Sequence, residues 1–325
     1  MEADLGLAVG RMTADPAEQY RGTRVLVTGA SGFIGARLVE TLGRAGAVVD
    51  GIARRQPERV LAGCNTFHAA DLADMDACRA LVRDVNPDHI FHLASTVTGR
   101  QELVHVLTTF NGNLVATVNL FTAIAERAKP KSVVVAGSSE EPRHFAITEP
   151  ETAPYSPYAA AKLSQSAYTA FFRRTVGLPV SHARIFMGYG PAQHDARKLI
   201  PYVTLALLRR ETPALSSGRR LADFTYIDDI VGGLLTLGAR PDVVTMDIGT
   251  GQLTSVADIA LKLRDIVNPR GGIAFGAEAD RVHELKLVAE VEQSAAATGW
   301  RPRVSLDEGL ARTVAWYRSH ARNFA

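Results

Sequence analysis

The chain has 325 residues, a formal net charge of +2, 46% hydrophobic and 22% charged residues. That balance suits a globular chain with one large domain or two sharing a core, and it excludes a nucleic-acid binder held by a strong basic face. Two cysteines are too few for a disulfide scaffold or a zinc site, no apolar run reaches the roughly 18 residues of a membrane span, and the expected location is the cytoplasm.

Residues 1–20 carry acids and lack a basic start with an apolar run, so a flexible N-terminal tail is expected there. Nearly continuous apolar runs follow at RVLVTG (24–29), AVVDGIA (47–53), TFHA (66–69), HIFHLAS (89–95), SVVVAGS (132–138) and VSHARIF (180–186). Such runs read as strands covered on both faces. Helical periods separate them at 36–46, 77–85, 113–128 and 156–177. This alternation predicts an α/β fold with a Rossmann-like doubly wound parallel sheet. Past residue 186 the pattern changes to helices at 199–211, 228–239, 255–267 and 305–321, with short strands near 245–249 and 272–276. The expected organisation is a dinucleotide-binding domain over 21–185 and a smaller, mixed substrate-binding region over 186–325. Residues 225–248 are expected to pack back on the sheet.

The first strand runs into TGASGFIGARL (28–38), with Gly29, Gly32 and Gly35 spaced G-x-x-G-x-x-G. Between a strand and a helix, such glycines allow a tight turn and let backbone approach a pyrophosphate at the helix N-terminus. The second strand ends on Ala53, followed by Arg54 and Arg55, and Asp50 falls too early to hold a ribose 2′-hydroxyl. Two guanidinium groups suit a 2′-phosphate, so NADP(H) is expected, with NAD as the alternative. Asp71 either accepts from an adenine amino group or caps the next helix.

Tyr158 and Lys162 stand four apart in SPYAAAK (156–162), on one face of a helix that Pro157 can open. A lysine charge beside a phenol favours tyrosinate, and such a tyrosine can give or take the proton of a hydroxyl while hydride moves at the same carbon. His92, inside an apolar strand, reads as a core histidine, and the scattered histidines predict no metal site.

Taken together, TGASGFIG, the Asp71 turn, FHLAS (91–95), the helix from Asn113, the Ser138–Glu140 run and Tyr158/Lys162 resemble the extended short-chain dehydrogenase/reductase family, the NAD-dependent epimerase/dehydratase group. TGWRPRVSLDEGLARTVAWYR (298–318) resembles its closing segment. The resemblance implies a nucleotide-sugar substrate and cofactor contacts from Ser31, Phe33, Ile34, Leu72, Leu93, Ala94 and Ser95, besides Tyr158 and Lys162. It implies Ser138 as the residue that holds the reacting oxygen, with Ser139 as runner-up, and Glu140 as an added acid/base. It also implies a homodimer through the helices that begin near Asn113 and Ser156.

Three departures from the family pattern point to the substrate side. Only 20 residues separate Ser138 from Tyr158, a shortened link that reads EPRHF from Glu141. Met187 stands where an asparagine usually approaches a diphosphate, and Ala222 replaces a phosphate-binding arginine. Arg219, Arg220 and Arg281 are the candidates to supply that charge, with Thr96 and Ser139 as further substrate contacts. The leading expectation is an NADP(H)-dependent nucleotide-sugar 4-ketoreductase. The alternatives are an epimerase or 4,6-dehydratase with a recycled cofactor, and a non-catalytic NADP-sensing protein.

Overall fold

The computed structural model describes residues 15–57, 60–98, 100–280 and 288–324. In chain order the first half contains β1 (Arg24–Thr28), α1 (Phe33–Arg44), β2 (Val48–Ala53), β3 (Thr66–Ala69), α2 (Met75–Val85), β4 (His89–His92), α3 (Val106–Thr109), α4 (Ala116–Arg127), β5 (Ser132–Ser138), α5 (Pro157–Phe171) and β6 (Val180–Ile185). The second half contains β7 (Met187–Tyr189), α6 (Leu199–Leu208), β8 (Ala214–Leu215), β9 (Leu221–Ala222), β10 (Phe224–Tyr226), α7 (Ile227–Gly238), β11 (Thr245–Ile248), β12 (Thr254–Ser255), α8 (Val256–Val267), β13 (Ala274–Phe275), α9 (Val291–Thr298) and α10 (Leu306–His320).

Seven strands pair in parallel in the order β11-β6-β5-β4-β1-β2-β3. The chain reverses its winding between β1 and β4, and the carboxyl ends of those strands open a crevice. One face of the sheet buries Val27, Leu38, Val134, Ile230 and Leu234 against α1 and α7. The other buries Leu26, Val82, Leu120, Val133 and Val180 against α2, α4 and α5. A third cluster, with Ile200, Phe224, Ile259 and Leu310, forms the core of the C-terminal region.

The short strand expected near residue 245 is β11, the edge of the large sheet, and α7 contributes to the core cluster on one face of that sheet. The strand expected at 272–276 shrinks to β13, which pairs with β8. Residues 15–20, expected as part of a loose tail, are packed. Ala17 and Tyr20 are fully buried, and the Tyr20 hydroxyl donates to Leu235 O at 2.8 Å.

Candidate active site

The loop from β1 to α1 is held by contacts that leave no room for side chains. Gly29 has φ +69°, and a Cβ on it would meet Ala94 N at 2.8 Å. A Cβ on Gly35 would lie 2.1 Å from Gly29 O. Gly32 caps α1 without any side-chain hydrogen bond, so the cap leaves first-turn N–H groups without a side-chain acceptor. These features fit a dinucleotide pyrophosphate, which takes its hydrogen bonds from backbone N–H and favours the positive helix end. Gly35→Ala is therefore expected to cost about 3 kcal/mol of stability and to abolish dinucleotide binding. Urea unfolding and calorimetric titration with NAD+ and NADP+ check it.

Around this loop the expected contacts are distributed unevenly. Ser31 is exposed, while Phe33 and Ile34 are half-buried against the C-terminal cluster. Leu93, Ala94 and Ser95 are half-buried just past β4, and Leu72 is buried. Arg54 and Arg55 are exposed past the end of β2. Asp50 lies inside the strand and is committed to His68 at 3.0 Å. Asp71 does not cap α2: its Oδ1 accepts from Ala73 N at 3.0 Å, and Asp74 accepts from Asp76 N and Ala77 N instead. The physical reason is register, since Asp74 immediately precedes the first helical residue.

Ser156 caps α5, accepting from Ala159 N at 3.0 Å, with Pro157 in the first turn. That start places Tyr158 and Lys162 against the end of β5. Tyr158 is 6% exposed, and Ser138 and Ser95 lie close enough to its hydroxyl to act on its ionisation. Ser138, 7% exposed, is thus the serine that meets the tyrosine, while the half-buried Ser139 continues the ladder through Ile185 O at 2.9 Å. Glu140 is half-buried, its N–H donates to Ser138 Oγ at 3.1 Å, and its charge acts on Tyr158.

The electrostatics differ from the expectation that lysine lowers the phenol. Burial pushes Tyr158 above its ordinary value, outweighing the lowering influence of Ser138 and Ser95. Burial also pushes Lys162 down to about 8, opposed by the charge of Glu141. The Lys162 ammonium sits 5.9 Å from the Tyr158 ring centre and donates to Ala136 O at 2.7 Å and Gln165 Oε1 at 2.9 Å. Tyr158 therefore rests as the phenol, because desolvation of a fully buried oxygen exceeds the help of a cation aimed elsewhere.

Three residues that sequence reasoning did not single out organise this site. Gln165 donates to Thr117 Oγ1 at 2.6 Å, and Thr117 donates to Asn113 O at 2.6 Å. His92 Nε2 lies 2.8 Å from the same hydroxyl, so it must be the protonated nitrogen, and Nδ1 accepts from Thr28 Oγ1 at 2.8 Å. His92 is the core histidine expected, pushed down to about 3 by burial and the Lys162 charge. Asn113 Oδ1 accepts from Ser95 Oγ and Thr96 N, each at 2.8 Å, and its Nδ2 donates to Thr96 O at 3.2 Å. Thus the Lys162 helix, the loop past β4 and the end of β1 share one polar network. The only sequence signal was a run of polar residues inside apolar helices.

The expected substrate contacts do not all converge. Thr96 is half-buried beside this network. Met187 and Ala222 are half-buried against the C-terminal apolar cluster, as is Phe33. Arg219 is exposed and pairs with Asp280 at 3.3 Å, and Arg220 is bound by its backbone to Val256. Arg281 lies outside the described residues. Among the described residues there is no group of three or more His, Cys, Asp or Glu that could hold a metal ion, and no helix long and apolar enough to cross a membrane.

The sequence pattern of the NAD dependent epimerase/dehydratase family matches residues 25–249. The chain belongs to this family. It is a family of extended short-chain dehydrogenase/reductase type, as the glycine loop and the Tyr158/Lys162 spacing led one to expect. Similar members include the UDP-glucose 4-epimerase of Mycolicibacterium smegmatis, 28% identical over 317 residues, which span 92% of this chain and 100% of that protein. The dTDP-glucose 4,6-dehydratase of Streptomyces griseus is 28% identical over 318 residues, 92% of this chain and 95% of that one. Among solved structures, MoeE5 in complex with UDP-glucose and NAD has a TM-score of 0.80 at 29% identity, covering 91% of this chain and 99% of its own. These family members are an epimerase, a dehydratase and an NAD-bound protein, so they give no support to the expected NADP(H)-dependent ketoreductase.

Proposed function

We propose that this protein is a nucleotide-sugar epimerase or 4,6-dehydratase that recycles its nicotinamide dinucleotide, the reading held above as the alternative to a net reductase. The observation that carries it is the meeting of Tyr158 with Ser138 and Ser95 at the buried end of the sheet, beside the glycine loop. The nucleotide sugar is proposed to lie between the 21–185 core and the 186–325 region.

A nicotinamide bound beside the glycine loop would supply a hydride acceptor at the sugar C4 and then a hydride donor, to C4 again in an epimerase and to C6 in a 4,6-dehydratase. Ser138 holds the oxygen on C4, and Tyr158 exchanges the proton of that oxygen. Lys162, whose ammonium sits 5.9 Å from the Tyr158 ring centre, is proposed to favour the tyrosinate as the proton leaves. Glu140, close enough to act on Tyr158, favours the dehydratase branch, where a second acid/base must help remove water. Incubation with UDP-glucose and dTDP-glucose tests the reading. A C4 epimer or a product lighter by one water, without net nicotinamide consumption, is expected. Stoichiometric NADPH consumption on a 4-keto sugar, with neither of those products, overturns it.

The exposed Arg54 and Arg55, with Asp50 engaged by His68, support NADP(H) as the preferred dinucleotide. The R54A/R55A double variant is expected to weaken NADP+ binding about tenfold or more and to leave NAD+ binding unchanged. Equal effects on both, or none on either, would remove this preference. A homodimer is proposed through Leu107, Phe110, Tyr168 and Phe171, which are exposed on α3, the turn after it, and α5. Light scattering of F171E decides it: the mass of a dimer is expected for the parent chain and of a monomer for the variant.

A further inference from the structure

Beneath the Tyr158 helix lies a buried acid that the proposed mechanism does not use. Glu141 is 1% exposed, and among the described residues no arginine pairs with it. Its Oε1 accepts from the Ser138 N–H at 2.6 Å, and its own N–H donates back to Ser138 O at 3.1 Å. The two bonds close a ring around the turn that presents the Ser138 side chain. Its Oε2 lies 3.3 Å from His182 Nε2, on β6, but out of line for a hydrogen bond. His182 is itself 5% exposed.

Gly137 makes the arrangement possible. A Cβ there would meet the His182 ring at 2.3 Å and Glu141 Oε1 at 2.8 Å. The strand therefore gives up a side chain where the acid folds back beneath it. After burial itself, Glu141 is the group that acts on Lys162, favouring its ammonium form. Leaving a carboxylate this dry with only a histidine edge and one N–H is unfavourable for folding alone. Such a group persists where it holds a geometry that function needs.

We propose that Glu141 is a positioning residue for the reaction, locking the Ser138 turn so that the Ser138 hydroxyl and Tyr158 meet one substrate oxygen, with His182 and Gly137 shaping its slot. The inference rests on the oxygen-holding role proposed for Ser138. Glutamate reaches the Ser138 N–H only because its carboxylate folds back three residues. A leucine of similar size fills the slot without accepting that bond, a glutamine keeps the acceptor without the charge, and an aspartate is shorter by about 1.5 Å.

The test uses the full chain with UDP-glucose and dTDP-glucose. E141Q is expected to keep kcat within about threefold, and E141L to lower kcat about thirtyfold with KM within twofold. In an S138A background, E141L should cost less than about twofold more, because the two residues act as one unit. An equal loss in both backgrounds, or a loss carried by KM, overturns the proposal. If E141L does not fold, E141D takes its place under the same criteria. The amide proton of Ser138, followed by NMR, should move upfield in E141L or E141D more than any other amide of β5 and stay in place in E141Q. If the parent chain turns over neither sugar, the functional reading fails, and this resonance alone decides the positioning: an unmoved Ser138 amide sinks it.

Discussion

Tyr158→Phe is expected to lower kcat about a thousandfold and to leave dinucleotide binding within about twofold. The ring stays packed at the start of α5 in this variant, because only the hydroxyl is removed. What is lost is the oxygen beside Ser138 and Ser95 that is proposed to exchange the sugar proton. No neighbouring group replaces it: Lys162 points to Ala136 O and Gln165, and Glu140 contacts Ser138 through its backbone. The fold should tolerate the change, at a cost of about 1 kcal/mol for the buried hydroxyl removed. Steady-state turnover of nucleotide sugars beside calorimetric titration of dinucleotide separates the two effects. A variant that keeps full biological activity with intact binding would support the sensing role instead and sink the enzyme.

Lys162→Met is expected to lower kcat about a hundredfold at neutral pH and to flatten its alkaline limb. The sign follows from the burial of the ammonium, which pushes Lys162 down to about 8 from its ordinary 10.5. Below about 8 the lysine is charged and favours tyrosinate formation; above it the proton is gone and that help is lost. Turnover in the parent chain should therefore fall as pH rises through that value, and the methionine variant should show no such fall. The same displacement has a stability consequence of opposite sense. A folded-state value below the unfolded one penalises the charged lysine in the fold, and the penalty is full below about 8 and relieved between there and 10.5. The parent chain should gain stability with pH across that window, by urea unfolding, and Lys162→Met should not. An alkaline limb unchanged in the variant would assign it to another group.

The strands of the large sheet and the longer helices were legible to within a few residues because their signals are local, whereas the short α3 and α9 were not. A continuous apolar run reads as a covered strand, and a 3.6-residue period reads as a helix, whatever surrounds them. The glycine loop was legible for the same reason, since Gly29 and Gly35 answer to a turn and a backbone contact six residues apart. Short strand pairs such as β7 with β10 and β9 with β12 escaped notice, because two or three residues carry no period. Of the two readings left open for Asp71, the cap of α2 falls to Asp74 instead, three residues further on.

By itself, then, the sequence determined the α/β class, the glycine loop, the Tyr158/Lys162 spacing and the family. Each depends on residues close along the chain. Only the tertiary structure decided that Ser138 rather than Ser139 meets Tyr158, that Met187 and Ala222 join an apolar cluster, and that β11 closes the sheet. It alone joined Lys162, Gln165, Thr117, His92 and Asn113 in one network, and set Glu141 under Ser138 beside His182. It also reversed the expected shift of Tyr158. A residue's ionisation depends on the water it has lost and on the direction of its neighbours' charges, and neither is defined until distant segments are packed together.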